Sequence, residues 1–348
     1  MEKKIKVLVV DDALFMRKAV TDILEKDDGI QVLDTAKNGK EGLSKIKKLH
    51  PDVITLDIDM PVMDGLTAIR HIMIESPVPI VVLSSLFSDG AITFDALRLG
   101  VVDFIPKPSG AISQDIGRER QHVIDRIKIA HSVNLENMRR VKLKKSNTAK
   151  KLSDLYGYRS LDHILAVGTN LTGPNTIIRL ISGLSPELPA AVVVVQEISP
   201  QIISSFVERF DMLVPWKVEV ARDGTTLKPG TCYISSNKNK FCMDLNSDGE
   251  ACLKRHNGTQ RPLNVLFSSA AEIYRQDAIG LLLTGLGDDG AEGFGRIKSE
   301  GGVTVAQDAE CCVYPNLTHH AIQSGTVDIV VNEKTMPGTI ESIMSRSA

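Results

Sequence analysis

The sequence predicts an α/β protein with two parallel-sheet domains joined by a basic helical connector. Short runs rich in Val, Ile and Leu alternate with amphipathic stretches over the first 110 residues, and the alternation resumes after residue 161. Between these regions, residues 118–151 carry 11 Lys and Arg against 3 acids. Buried strands that alternate with helices are typical of a parallel sheet covered on both faces. We therefore predict a first domain at 1–112, a connector at 113–160 and a second domain at 161–348.

The first domain has the pattern of a five-stranded doubly wound, flavodoxin-like sheet. Apolar runs predict strands at 5–10, 30–34, 53–56, 80–83 and 101–105. Apolar residues at helical spacing predict helices at 14–25, 39–49 and 64–74. The connector that follows has few turn formers and spaced apolar positions, which favours a basic helix. It is interpreted either as a solvated connector or as a patch for acidic partners.

The second domain repeats the alternation of strand, loop and helix. Strands are predicted at 164–168, 190–196, 230–235, 278–284 and 303–307, and helices at 175–182, 200–210, 264–274 and 291–300. Glycine-containing loops follow several of these strands. This arrangement places functional side chains at the carboxyl ends of the strands.

Composition excludes several classes of function. The chain has 348 residues, 43% hydrophobic and 24% charged, with a formal net charge of -2. Such a balance argues against nucleic acid as a whole-chain partner, and 4% aromatic residues argue against stacking on bases. No apolar run approaches the roughly 18 residues that span a bilayer, and the amino terminus lacks a signal-peptide core. We predict a cytoplasmic protein without membrane insertion.

Polar side chains follow four strands of the first predicted sheet. Asp11 and Asp12 follow the first strand, and Asp57 ends the third. Ser84 ends the fourth strand and Lys107 follows the fifth. Because the carboxyl ends of parallel strands lie side by side, these five side chains are expected to meet.

Three carboxylates packed together repel one another unless a cation joins them. Mg²⁺ takes oxygen ligands and is the expected ion. A carboxylate beside Mg²⁺ and a lysine ammonium is arranged to accept a phosphoryl group, whose oxygens the two cations neutralise. The alternative, a loop of solvated acids, would hold for a single Asp but not for five matched positions.

These residues closely resemble the receiver domain of bacterial two-component response regulators. The motifs VLVVDD, LDIDMPVMDG, VVLSS and DFIPKP carry the resemblance. It implies that Asp57 is the phosphoacceptor and that a histidine kinase is the partner. It further implies that Asp11, Asp12, Asp57 and the backbone carbonyl of Asp59 hold the metal, that Ser84 and Lys107 contact the phosphoryl group, and that Phe104 is the aromatic switch position.

The second domain resembles the chemotaxis protein-glutamate methylesterase family, whose members are also protein-glutamine deamidases. The segments ILAVGTNLTGP, VVVVQEISP and LLLTGLGDDGAEG carry this resemblance. By it, the family's nucleophilic serine falls on Asn170, its catalytic histidine on Glu197 and its aspartate on Asp289. Only the aspartate is retained.

The replacements remove the chemistry that the family uses. A carboxamide has no ionisable oxygen that can attack an ester carbonyl, and Asp289 has no imidazole to orient. Loss of serine or histidine from a related triad costs about 10⁶ in kcat. We therefore predict a pseudo-enzyme, in which Asn170 and Glu197 hydrogen-bond to each other.

Three functions follow from these expectations. In the first, phosphorylation controls a domain that acts by binding, with chemoreceptors as a further candidate partner. In the second, the chain is an active methylesterase and deamidase with an altered site, drawing on Thr169, Thr172 or one of the histidines. In the third, the receiver is a phosphate sink and the second domain is a scaffold.

Overall fold

Two parallel β-sheets organise the chain, one within residues 1–140 and the other within 141–348. The structure is a computed structural model that describes residues 3–84, 89–107, 116–138, 160–170, 173–258 and 261–345. Both sheets and their flanking helices confirm the α/β fold class predicted from the sequence.

The first sheet places its crevice at the ends of two central strands. Its strands are β1 (Ile5–Val10), β2 (Ile30–Ala36), β3 (Val53–Leu56), β4 (Ile80–Ser84) and β5 (Asp103–Pro106). They pair in parallel in the order β2-β1-β3-β4-β5. Every residue of β3 and β4 is buried, and burial on both faces is why these strands are mostly apolar. The order reverses between β1 and β3, so the crevice lies at their carboxyl ends.

Five α-helices in the described part of the first unit flank this sheet. They are α1 (Leu14–Leu24), α2 (Gly39–Leu49), α3 (Gly65–Glu75), α4 (Gly90–Arg98) and α5 (Ile116–Ser132). Asn38, Asp64 and Asp89 accept backbone N–H hydrogen bonds in the first turns of α2, α3 and α4. These side chains satisfy donors that would otherwise lack a partner at the helix start.

Helix α5 lies in the stretch predicted as a connector, yet it packs on the first sheet. It contacts α1 and the strands β3, β4 and β5, and it buries Val123, Ile127 and Ala130. Those residues form an apolar stripe that the basic composition of the stretch conceals. The three-part division of the chain stays a proposal. Because α5 packs on the first sheet, we assign it to the first unit. Of the connector, residues 113–115 and 139–159 lie outside the described residues.

The second sheet has seven parallel strands. They are β6 (His163–Gly168), β7 (Ala190–Gln196), β8 (Lys217–Val220), β10 (Thr231–Ser236), β13 (Ala278–Leu282), β14 (Val303–Gln307) and β15 (Ile329–Val331), with β9 (Thr225–Thr226) between β8 and β10 in the chain. The order is β15-β14-β13-β6-β7-β10-β8. Because the order reverses at β6, the crevice lies where β6, β7 and β13 end.

Among the described residues, a small antiparallel sheet and six α-helices complete the second unit. The strand β9 joins β11 (Phe241–Leu245) and β12 (Ala251–Arg255), a hairpin that the sequence analysis did not predict. The helices are α6 (Gly173–Gly183), α7 (Ile203–Asp211), α8 (Pro262–Tyr274), α9 (Ala291–Ser299), α10 (Asn316–Gln323) and α11 (Met336–Met344). No helix among the described residues is long and apolar enough to cross a membrane.

Val62 has a strained backbone in the loop between β3 and α3. Its φ is 70°, in the left-handed region that β-branched residues rarely adopt, and its side chain is 79% exposed. The conformation costs about 1–2 kcal/mol for a residue with a Cβ. Little packing offsets that cost, because most of the side chain faces solvent.

We expect Val62→Gly to stabilise the first unit by about 0.5–1 kcal/mol, since glycine removes the strain at a smaller cost in unfolded-state entropy. The measurement is the hydrogen-exchange rate of buried amides in β1 and β3, which should fall. In the control Ile74→Gly, an exposed position in α3, the same amides should exchange faster. Faster exchange in Val62→Gly would contradict this account.

Candidate functional sites

The first site forms at the carboxyl edge of the first sheet, where β1 and β3 end. The backbone N–H of Asp57 donates to the Val10 carbonyl at 2.9 Å, which holds the ends of these strands in register. The Lys107 ammonium lies 2.7 Å from Asp11 Oδ2 and 2.8 Å from Asp57 Oδ2. The structure therefore brings Asp11, Asp57 and Lys107 together as the sequence predicted.

Burial shapes the electrostatics of this site. Desolvation raises the pKa of Asp57, and the nearby charge of Asp11 acts in the same direction. The Lys107 ammonium and the Ile58 N–H, which donates to Asp57 Oδ1 at 2.8 Å, oppose that rise. Burial alone would lower the pKa of Lys107, but its hydrogen bonds to the two carboxylates raise it overall. Lys107 is thus held in its charged form.

The acidic residues at this edge fit a divalent cation. Carboxylate oxygens of Asp11, Asp12 and Asp57 all lie within 4.8 Å of one another. Mg²⁺ prefers oxygen donors and keeps several waters, and the exposed side chain of Asp12 leaves room for them. Three carboxylates against one ammonium also leave a surplus of negative charge. Asp59 follows two residues after Asp57, with an exposed side chain.

Ser84 and Phe104 occupy the neighbouring strands β4 and β5. Ser84 is 1% exposed at the end of β4, and its carbonyl accepts the Lys107 N–H at 3.2 Å. Phe104 is 7% exposed and packs in the core of the first unit. Both residues therefore lie on strands adjacent to the acidic cluster, and their roles in phosphoryl contact and switching stay predictions.

Two residues that support this site were missed by the sequence analysis. Arg17 Nη1 donates to the carbonyls of Asp11 and Asp12, at 2.9 Å each, and so fixes the loop after β1. A Cβ at Gly65 would lie 2.4 Å from the Asp57 carbonyl, so only glycine lets α3 begin this close to β3. Gly65 could have been found from its place in the MDG motif, whereas no sequence motif indicates Arg17.

The second site lies at the carboxyl edge of the second sheet, where Asn170 follows β6. Asn170 Nδ2 donates to the Leu286 carbonyl at 2.9 Å, and Asn170 Oδ1 accepts the Leu286 N–H at 2.6 Å. A Cβ at Gly285 would lie 2.5 Å from Asn170 Oδ1, so the loop after β13 closes tightly on this side chain. Asn170 thus joins the end of β6 to the loop after β13 through two hydrogen bonds.

Asp289 caps a helix. Its Oδ2 accepts the Leu263 N–H at 2.9 Å, and its Oδ1 accepts the Asn264 N–H at 3.1 Å. These N–H groups lie in the first turn of α8 and have no acceptor within the helix. Arg261, at the N-cap position, makes no side-chain capping bond to them. Burial raises the pKa of Asp289, and the two N–H groups oppose the rise. Both carboxylate oxygens therefore have a structural task.

The remaining candidates are dispersed. Glu197 follows β7 and is half-buried; its predicted hydrogen bond to Asn170 stays a prediction. Thr169 is 2% exposed, and its hydroxyl donates to the Thr284 carbonyl at 2.7 Å. His163 begins β6, at the opposite edge of the sheet, with Nδ1 3.5 Å from Asp277. Thr172 lies outside the described residues.

Comparison with known proteins gives matches to both units. A model of the response regulator receiver domain matches residues 7–114, and one of the CheB methylesterase matches residues 165–340. A Caldanaerobacter subterraneus protein named protein-glutamate methylesterase/protein-glutamine glutaminase is 38% identical, over 95% of this chain and 94% of its own. A Pyrococcus horikoshii protein of the same name is 33% identical, over 98% of this chain and 94% of its own.

The solved structure of the methylesterase catalytic domain of Thermotoga maritima CheB is 29% identical in sequence to this chain. The match covers 53% of this chain and 98% of the solved chain, with a TM-score of 0.49. The receiver match lies on the unit that carries Asp57, and the methylesterase match lies on the unit that carries Asn170. Near-complete coverage of both curated relatives confirms the combination of domains that the motifs predicted. The chain therefore belongs to the family of chemotaxis response regulators named protein-glutamate methylesterase/protein-glutamine glutaminase.

Proposed function

We propose that this response regulator accepts a phosphoryl group on Asp57 and acts by binding, through a second domain that lacks hydrolytic chemistry. The observation that carries the proposal is Asn170. It stands at the position of the family's nucleophile, and both polar atoms of its side chain are hydrogen-bonded to Leu286. A carboxamide held in this way has no oxygen that can form an acyl-enzyme.

The geometry of the first site supports phosphoryl transfer to Asp57. A carboxylate oxygen of Asp57 attacks the phosphorus of a phosphohistidine on a kinase, the P–N bond breaks, and the imidazole leaves. The products are an aspartyl phosphate and the free histidine. A bound Mg²⁺, held by Asp11, Asp12, Asp57 and the Asp59 carbonyl, would neutralise charge on the phosphoryl oxygens.

Other residues of the first unit have supporting roles in this step. The Lys107 ammonium, 2.8 Å from Asp57 Oδ2, is placed to neutralise a second phosphoryl oxygen. The Ser84 hydroxyl would donate to another oxygen, and the resulting movement would reach Phe104 on the neighbouring strand. A histidine kinase is the proposed phosphodonor, and the cytoplasmic location stays a prediction.

The second domain is proposed to bind rather than cleave. Glu197 replaces the family's imidazole base, so no neutral base stands at that position to take a proton from a nucleophile. Asp289 retains the family's residue type, but both of its oxygens cap α8. Chemoreceptors are the proposed binding target, since relatives act on protein glutamate and glutamine by name.

A second candidate function is an active methylesterase and glutaminase. The names of relatives at 33–38% identity favour this alternative more strongly than they favour a pseudo-enzyme. It would require a nucleophile other than Asn170, and the described candidate Thr169 is buried and donates to a carbonyl. The assays below distinguish the two functions.

We expect Asp57→Asn to abolish phosphoryl uptake from radiolabelled acetyl phosphate, because the amide oxygen is a poor nucleophile. Removal of divalent cations with a chelator should have the same effect on the unmodified chain. The control Asp28→Asn, at an exposed acid outside the site, should label normally. Undiminished labelling of Asp57→Asn would place the phosphoacceptor elsewhere.

We expect the phosphorylated chain to release no methanol from methylated chemoreceptors above background, and the double variant Asn170→Ser with Glu197→His to gain release. The single variants should stay inactive, because loss of either group from a triad costs about 10⁶ in kcat. Methanol release by the unmodified chain would establish the active alternative. If the double variant releases no methanol, the crevice does not retain the family's catalytic geometry.

We expect Asp289→Ala to lower the free energy of unfolding of the second unit by about 1–2 kcal/mol, the usual cost of losing a helix cap. Fluorescence of the single tryptophan, Trp216, which is fully buried in this unit, reports the transition in urea. The control Asp288→Ala removes an exposed ion pair with Arg261 and should cost about 0.5 kcal/mol. Equal effects of the two substitutions would refute the capping role.

A further inference from the structure

An asparagine followed by a glycine, Asn257 and Gly258, lies in the connection between β12 and α8. Both residues are exposed to solvent. The backbone N–H of His256 donates to the Lys240 carbonyl at 2.9 Å, which ties this connection to the segment between β10 and β11. The pair therefore lies on the side of the second sheet where β10 ends. Neither the proposed phosphoryl transfer nor the proposed binding uses it, so the inference below is independent of both.

An asparagine carboxamide that precedes a glycine is open to attack by the glycine nitrogen. Glycine has no Cβ to block the approach of its backbone nitrogen to the side chain before it. In the part of the chain that the structure describes, neither the Asn257 carboxamide nor the Gly258 N–H makes a hydrogen bond. The two reacting groups therefore have no hydrogen bond to break before they meet.

His256 places a proton acceptor against the same glycine. A Cβ at Gly258 would collide with His256 Nε2, so only glycine fits beside the tip of this imidazole. That nitrogen is buried and has no hydrogen-bond partner among the described residues. Imidazole is the commonest general base near neutral pH, and Nε2 accepts a proton when Nδ1 carries the ring hydrogen. Since the Gly258 nitrogen becomes nucleophilic on losing its proton, the neighbouring imidazole favours the attack.

A second Asn-Gly pair, Asn38 and Gly39, has the opposite environment. Asn38 is 8% exposed, and its Oδ1 accepts the Glu41 N–H at 2.9 Å at the start of α2. The Gly39 N–H donates to the Met63 carbonyl at 3.2 Å. Attack at Asn38 requires both bonds to break and the first turn of α2 to open. The two pairs are identical in sequence, and only their structures distinguish them.

We propose that Asn257 is a site of spontaneous deamidation, with His256 as the proton acceptor, and that folding protects Asn38. The Gly258 nitrogen gives its proton to His256 and attacks Asn257 Cγ, forming a new C–N bond. The bond from Cγ to the side-chain nitrogen breaks, and that nitrogen takes the proton back from His256 and leaves as ammonia. Water then opens the succinimide ring at either carbonyl, which leaves aspartate or isoaspartate at position 257.

The modification changes the charge of this connection. Each product carries a carboxylate where the chain had a neutral amide. Lys240 Nζ donates to the Gly258 carbonyl at 2.8 Å, so the new negative charge forms one residue away from an ammonium-bound carbonyl. Opposite charges at such separations attract, which favours retention of the carboxylate form. The chain therefore gains one negative charge at this position as it ages.

Peptide mapping of the full chain after incubation at neutral pH tests the proposal. We expect the tryptic peptide with residue 257 to convert to aspartyl and isoaspartyl forms at least several-fold faster than the peptide with residue 38. In urea, where neither pair is folded, the two peptides should convert at similar rates. Equal rates in the folded chain would overturn the proposal. Conversion of neither pair, over the time in which the unfolded chain converts both, would also overturn it.

The variant His256→Gln tests the proton acceptor. Glutamine keeps a polar side chain of similar size but does not take up a proton, so conversion at residue 257 of the folded chain should slow several-fold. His122→Gln, at an exposed position of α5, is the matched control and should leave the rate unchanged. Trp216 fluorescence confirms that the second unit of each variant is folded. An unchanged rate in folded His256→Gln would refute the role of His256.

Discussion

Both sites depend on one constraint, that the carboxyl ends of parallel strands meet at a single edge of a sheet. In the first unit this edge brings two carboxylates of β1 and β3 to within 2.8 Å of the Lys107 ammonium beyond β5. In the second unit it brings the loop after β6 against the loop after β13. The edge of the first sheet holds the charged groups of Asp11, Asp57 and Lys107. The edge of the second sheet holds the neutral hydrogen bonds between Asn170 and Leu286. The difference between the two sites therefore lies in their side chains, since both sites stand at the carboxyl edge of a parallel sheet.

In the second unit, two residues that we propose to stand at the family's catalytic positions make structural hydrogen bonds. Asn170 joins two loops through both of its polar atoms, and Asp289 supplies the first turn of α8 with acceptors. Each residue stabilises the crevice whether or not a substrate is cleaved there. A retained aspartate is consequently weak evidence for a retained triad. The names of the sequence relatives favour an active methylesterase and glutaminase. An assay of hydrolysis at the crevice therefore has to distinguish the two functions.

Strand ends were predictable from the sequence where burial made the strands continuously apolar. Asp11, Asp57 and Lys107 were found in this way, because each follows such a run. The capping role of Asp289 was not predictable, since its partners are backbone N–H groups about 25 residues earlier in the chain. The packing of α5 was also concealed, because its basic residues dominate a composition count while its apolar stripe decides its position. The hairpin of β11 and β12 was missed because its strands mix polar and apolar residues.

We propose that no side chain among the described residues of the second unit serves as an acyl-accepting nucleophile. Intact-protein mass spectrometry after exposure of the phosphorylated chain to a fluorophosphonate tests it most directly, because this reagent bonds covalently to activated hydroxyl groups. The account predicts an unchanged mass for the natural sequence and one added phosphonyl group when serine and histidine are restored at positions 170 and 197. A phosphonyl group on any hydroxyl of the natural second unit would contradict it.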